Sequence, residues 1–151
     1  TTTVPDQIRV AREAGFEAIE LWHDHLDLYL QSGGTLRDVR RALDDYGIKV
    51  PTTIYLAGWF QPAGPEHETA LDEVRRRLEQ AAAVGAEFAI AGPPPGKADR
   101  DLGAQHYAEL LDLVEKTNQA LSDLKPLDRI DIQSFIWVVG DYREDREDVY
   151  T

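Results

Sequence analysis

The residue types best suited to chemistry crowd one short stretch, Glu20-Leu21-Trp22-His23-Asp24-His25. Carboxylates and imidazoles can bind a metal ion, and an imidazole can also move a proton near neutral pH. If this stretch ends a β-strand, alternation sends Ile19 and Leu21 to one side and Ala18, Glu20 and Trp22 to the other. With the apolar pair against helices, Glu20 points to the inner side of a sheet or into a barrel mouth. A carboxylate there requires a metal, a cation, a substrate hydroxyl or an ion pair with a neighbouring residue. His23 and His25 are expected on the loop that follows. His23 is the stronger candidate for direct catalytic contact, and the alternative is an exposed loop pair. His67 and His106 fall on helical stretches and are expected at the surface.

Other candidates follow later strands. Thr53-Ile54-Tyr55 runs into Leu56-Ala57-Gly58-Trp59-Phe60. Tyr55 and Trp59 suit either a pocket wall or packing that anchors the loop. Gly92-Pro93-Pro94-Pro95-Gly96-Lys97 is a stiff turn. It is not a phosphate loop, because proline supplies no N–H donor and the spacing differs from the nucleotide-binding pattern. Gln133 and Ser134 interrupt an apolar run, which marks a strand side that is wet, chemically used, or closed by an internal hydrogen bond. The chain carries no GxSxG elbow, HExxH helix, Walker loop or dinucleotide glycine fingerprint.

The elements that must position these residues repeat one pattern: amphipathic helix, glycine, short apolar strand. The junctions are EAGFEAIEL at Gly15, DYGIKVPTT at Gly47 and AVGAEFAIA at Gly85. Glycine after a helix accepts the left-handed conformation that closes it. Spacings of three and four predict the helices. One is capped by Thr3, starts at Pro5 and runs to Ala14. The next is capped by Thr35 and carries Leu36, Val39, Leu43 and Tyr46 on one face. A third spans 65–84 with Leu71, Val74, Leu78 and Ala81 inward. A fourth carries Tyr107, Leu110, Leu111 and Val114. Strands are predicted over 16–22, 48–55, 86–91 and 130–139. Alternating helices and strands imply a parallel sheet whose ligands bind at the carboxyl ends of its strands.

Bulk properties narrow the function classes. At 42 % apolar and 29 % charged residues, the composition is that of a folded domain and not of a disordered chain. A formal charge of −12 disfavours nucleic acid as a partner, because phosphate backbones are repelled. Arg75, Arg76 and Arg77 are the densest basic cluster, and acids around them suggest a solvated helix face. No apolar run reaches the roughly 18 residues of a membrane span, and no basic-then-apolar leader opens the chain. The absence of cysteine fits a cytoplasmic location. The chain opens on Thr1 and lacks methionine, so a native start is expected elsewhere. A single domain over residues 1–151 is expected, without a Gly-Ser linker.

The stretch from Asp6 to Trp22, DQIRVAREAGFEAIELW, resembles the xylose isomerase-like TIM barrel superfamily, which includes sugar-phosphate isomerases and epimerases and the AP endonuclease family 2 barrels. Tyr46-Gly47-Ile48-Lys49-Val50 and Leu127-Asp128-Arg129-Ile130 share its pattern. The resemblance implies an α/β (βα)8 barrel, here incomplete, with a suspected missing segment near 117–118. In the alternative, one helix runs on to Leu124 and the result is a half-barrel or small open sheet.

The resemblance also implies a divalent ion (Mn, Mg, Co or Zn) and a metal-dependent isomerase or epimerase of a sugar or polyol derivative, acting by proton abstraction next to a carbonyl. Glu20 and His23 are then the catalytic candidates. Trp22, His25, Tyr55 and Trp59 are the substrate-binding ones, and Gln133 is the metal ligand. A metal-dependent lyase of the dehydroshikimate- or inosose-dehydratase type is the enzymatic alternative. A non-catalytic binding or assembly module, with a homo-oligomer formed through an exposed sheet edge, is the other.

Overall fold

The computed structural model describes residues 2–92 and 100–122. Its elements, in chain order, are α1 (Val4–Glu13), β1 (Leu21–Trp22), α2 (His23–Gln31), α3 (Leu36–Tyr46), β2 (Thr52–Leu56), α4 (Pro65–Val84), β3 (Phe88–Ala91) and α5 (Arg100–Ser122). The strands form a parallel sheet in the order β1-β2-β3. Leu21 sits opposite Thr53, and Thr53 opposite Ala89. The expected strands at 16–22, 48–55 and 86–91 are present but start later. Backbone pairing nevertheless begins upstream of each: Ala18 bridges Lys49, and Glu87 N donates to Val50 O at 3.1 Å. The predicted strand at 130–139 lies outside the described residues, as do Lys97 and Gln133.

Local chemistry sets the helix ends. Thr3 and Asp6 form a reciprocal capping box on α1, and Thr35 and Asp38 do the same on α3. Gly47 (φ 63°) and Gly85 (φ 73°) close α3 and α4 in the left-handed conformation. Val74, Leu78 and Ala81 recur at helical spacing on α4, and all are essentially inaccessible. Each large member of that stripe contributes about 1.5–3 kcal/mol of burial. They join Ile8, Leu26, Val39, Leu56 and Leu110 in one core between the helices and one face of the sheet.

Two expectations are corrected. Leu111 is exposed, because the buried stripe of α5 is Leu110, Leu113, Val114 and Thr117. One residue of helix turns about 100°, which carries Leu111 off that stripe. His23 and His25 belong to a helix and not to a loop. Leu26 anchors that helix in the core, and Asp24 in its first turn suits the positive end of the helix dipole. Helix α5 continues through Thr117 and Asn118, with Thr117 Oγ1 donating to Leu113 O at 2.8 Å. Among the described residues, no helix is long and apolar enough to cross a membrane.

Candidate functional site

Alternation along the sheet produces two unlike faces. Leu21, Thr53 and Ala89, in register across the three strands, are buried toward the helices. Glu20, Trp22, Thr52, Ile54, Phe88 and Ile90 occupy the other face and retain solvent access. Glu20 lies immediately before β1 and accepts a hydrogen bond from Thr52 Oγ1 at 2.5 Å. Its carboxylate is therefore steered along the open face by a neutral donor, and remains free to accept further bonds from a bound molecule. Trp22, 49 % exposed, follows on the same face, with its ring 6.5 Å from that of exposed His25. The Tyr55 ring lies against Gly92 so closely that no Cβ fits there. This contact fixes the ends of β2 and β3 relative to each other.

His23 goes the opposite way. As the first residue of α2 it is fully buried, and its Nδ1 lies 2.9 Å from Gln80 Oε1 on α4. Gln80 Nε2 donates to Asp27 Oδ1 at 2.6 Å, which leaves its carbonyl oxygen to accept from His23. Asp27 also receives both ends of the Arg76 guanidinium, at 2.7 and 2.8 Å. Arg77 spans Glu73, Asp24 and the Tyr55 carbonyl, so it ties the end of β2 to α2. The basic cluster is accordingly divided: Arg75 is exposed as expected of a solvated face, whereas Arg77 is only 16 % exposed.

Burial pushes the His23 pKa down, Gln80 acts against that shift, and the Arg77 charge adds to it. His23 is thus the neutral Nδ1–H tautomer, and its buried Nε2 has no hydrogen-bond partner. No hydrogen bond among the described residues joins it to Glu20.

Trp59 is 6 % exposed and donates from Nε1 to Gly92 O at 3.1 Å. It packs edge-on to Phe60 and beside Tyr107 of α5, so its visible role is to hold the β2–α4 loop onto α5.

A second polar group was missed in the sequence. His67, on the first turn of α4, and His106, on α5, are both buried, which corrects the surface expectation. The cause is the tight seating of α5 against the β2–α4 loop. Gly103, one turn before His106, leaves room for the Phe60 ring that a Cβ would exclude. His67 Nε2 lies 3.0 Å from Glu109 Oε2, and the Nδ1 atoms of the two histidines are 3.1 Å apart. His67, His106 and Glu109 form a group that can hold a metal ion, with one ligand atom from each within 4.8 Å of the others. The signal available in the sequence was the His106-x-x-Glu109 spacing, which puts both side chains on one helix face.

A family model described as "Xylose isomerase-like TIM barrel" matches residues 8–125. Similar solved structures include a Sinorhizobium meliloti 1021 protein (22 % identity, TM-score 0.64), which aligns over 86 % of this chain and 45 % of its own. The IOLI protein with a bound zinc atom aligns at 17 % identity and TM-score 0.67, over 87 % of this chain and 46 % of its own. D-allulose 3-epimerase from Methylomonas sp., in complex with D-allulose, aligns at 18 % identity and TM-score 0.59, over 87 % and 44 %. The chain therefore spans less than half the length of these structures, and at such identities the likeness concerns the fold. No curated protein is significantly similar to it.

Proposed function

The chain belongs to the xylose isomerase-like TIM barrel family, and from that premise we propose that its open sheet face is part of the substrate chamber of a sugar or polyol isomerase or epimerase. The observation that carries this reading is the Glu20 carboxylate immediately before β1, held on the open face by Thr52 beside an exposed Trp22. A carboxylate flanked by an indole suits a polyhydroxylated ring or chain, since the acid accepts from hydroxyls and the indole covers apolar C–H faces. Similar proteins of the same fold include a D-allulose 3-epimerase with its sugar bound, which supports a substrate of this class.

In this reading Glu20 is the catalytic residue. It accepts the proton from the carbon next to the carbonyl, and the electron pair of that broken C–H bond forms the new C=C bond while the carbonyl π pair moves onto oxygen as an enediolate. Return of a proton to the neighbouring carbon gives an isomer; return from the opposite side of the same carbon gives an epimer. Trp22 and Tyr55 contribute wall, and His25 lies at the rim beside Trp22. His23 acts as a positioning residue, because it fixes the start of α2 to α4 through Gln80. Of the six named open-face side chains Glu20 alone is ionisable, and Gln133, the ligand that the family resemblance implies for a divalent ion, lies outside the described residues.

The test is product analysis on the full-length protein with ketoses, aldoses and cyclic polyol ketones in deuterated water. Incorporation of deuterium next to the carbonyl, with rearranged product, supports the proposal. Glu20→Gln should lower kcat by about 100-fold or more. Net loss of water from the substrate would assign a lyase instead. An absence of solvent exchange with every class would remove the enzyme reading.

A further inference from the structure

We propose that His67, His106 and Glu109 form a site for a divalent transition-metal ion of the zinc class, which clamps α4 to α5 in the helix layer, apart from the open sheet face. This assignment does not depend on the sugar chemistry.

One ligand atom from each residue lies within 4.8 Å of the others, close enough for one ion to gather all three. Ligand atoms about 2.0–2.2 Å from a tetrahedral ion lie about 3.3–3.6 Å from one another. Here Glu109 Oε2 is 3.0 Å from His67 Nε2 and 3.5 Å from His106 Nδ1. The Nδ1 atoms of the two histidines are 3.1 Å apart, with the rings edge to face at 89°, so His67 meets His106 with Nδ1 and Glu109 with Nε2. All the polar contacts of the His106 ring are made at Nδ1, since its buried Nε2 has no hydrogen-bond partner. Two imidazoles facing each other nitrogen to nitrogen share a single proton at best, so a cation placed between them satisfies both lone pairs at once.

Donor chemistry selects the ion. Two imidazoles and one carboxylate suit zinc, cobalt or nickel, whereas magnesium and calcium prefer sets made of oxygen. Access is also built in. The two histidine side chains are 8 % and 1 % exposed but that of Glu109 is 42 % exposed, so an ion can enter along the carboxylate and keep water in its fourth position. The ligands come from helices 39 residues apart in sequence, so binding ties α4 to α5.

The experiment is titration of the metal-stripped chain with CoCl2, followed by visible absorption and, in parallel, by thermal unfolding with ZnCl2. The expected result is a cobalt ligand-field band saturating at one equivalent for this group, with a Tm that rises with zinc concentration. Glu109→Gln, an exposed and nearly isosteric change, should weaken binding by more than the roughly 10- to 100-fold typical of losing a supporting bond. His106→Gln should remove the band. Glu20→Gln, on the open face, should leave it intact. Circular dichroism in chelator confirms that each variant is folded, and the Glu109 variant keeps the test decisive if His106→Gln is not. Absence of the band in the parent chain, or a band that survives both Glu109→Gln and His106→Gln, overturns the proposal.

Discussion

Replacing Gln80 with leucine should destabilise the fold more than a buried polar-to-apolar change ordinarily does. His23 is fully inaccessible and Gln80 is 4 % exposed, so no water replaces the lost acceptor of the His23 Nδ1–H. A buried donor left without a partner costs about 1–3 kcal/mol. The bond from Gln80 to the Asp27 carboxylate is lost as well. Asp27 keeps both Arg76 donors and is 21 % exposed, which holds that second loss near the lower end of the about 1.5–3 kcal/mol for bonds to charged groups. With some return from the leucine side chain, the sum is about 2–4 kcal/mol. At about 2–4 °C per kcal/mol for a chain of this size, Tm falls by about 4–16 °C.

Urea unfolding followed by circular dichroism reads the same quantity as a shift in midpoint at constant slope. The double variant His23→Leu with Gln80→Leu removes donor and acceptor together and should recover at least half of the loss, since two matched apolar groups leave nothing unpaired. A single variant within about 0.5 kcal/mol of the parent, or a double variant less stable than the single one, would refute the role given to the His23–Gln80 bond.

Acid should find a second weak point. Hydrogen bonding from Arg76, opposed by partial burial and joined by Arg77, lowers the Glu73 carboxyl from 4.5 to about 2. Above pH 4.5 its contribution to stability is complete; as pH falls from 4.5 toward 2 the unfolded chain binds the extra proton and that contribution is lost. Glu73→Gln should therefore flatten the acid limb of the stability curve in this window, and added salt should weaken the effect because the side chain is 39 % exposed. At the start of α3, Thr35→Ala removes the side-chain half of a capping box, the Oγ1 that accepts from the Asp38 N–H, and should lower the urea-derived stability by about 1 kcal/mol; an unchanged midpoint would mean that solvent caps this helix equally well.

Much of the architecture was visible in the residues because helix ends here follow local rules. Thr3, Thr35, Gly47 and Gly85 stop or start helices by their own hydrogen bonding or backbone freedom. Helix α2 escaped because those rules are silent at its start. Its N-cap is Trp22, which offers no side-chain acceptor, and the opening His23-Asp24-His25 is polar enough to pass for a loop. The helix is held instead by contacts distant in sequence: Leu26 in the core and Asp27 on Arg76. The misplaced face of α5 has a similar origin, since Leu110, Leu111, Leu113 and Val114 offer two overlapping apolar stripes and only the seat against α4 selects between them.

The site was legible only where alternation along a strand decides direction. That rule put Glu20 and Trp22 on one face and Leu21 on the other, as found. It gives out one residue later, because the chain passes from strand to helix at His23 and the period changes from two to 3.6. Residues three positions apart thus serve opposite sides of the sheet: Glu20 faces the open side with Thr52, and His23 is locked to α4 by Gln80. Closeness in sequence implied a shared catalytic task that the change of period dissolves. The converse holds for His67 and His106, 39 residues apart, which meet because α4 and α5 pack side by side. A cluster assembled by helix packing leaves only its local half in the sequence, here the three-residue step from His106 to Glu109.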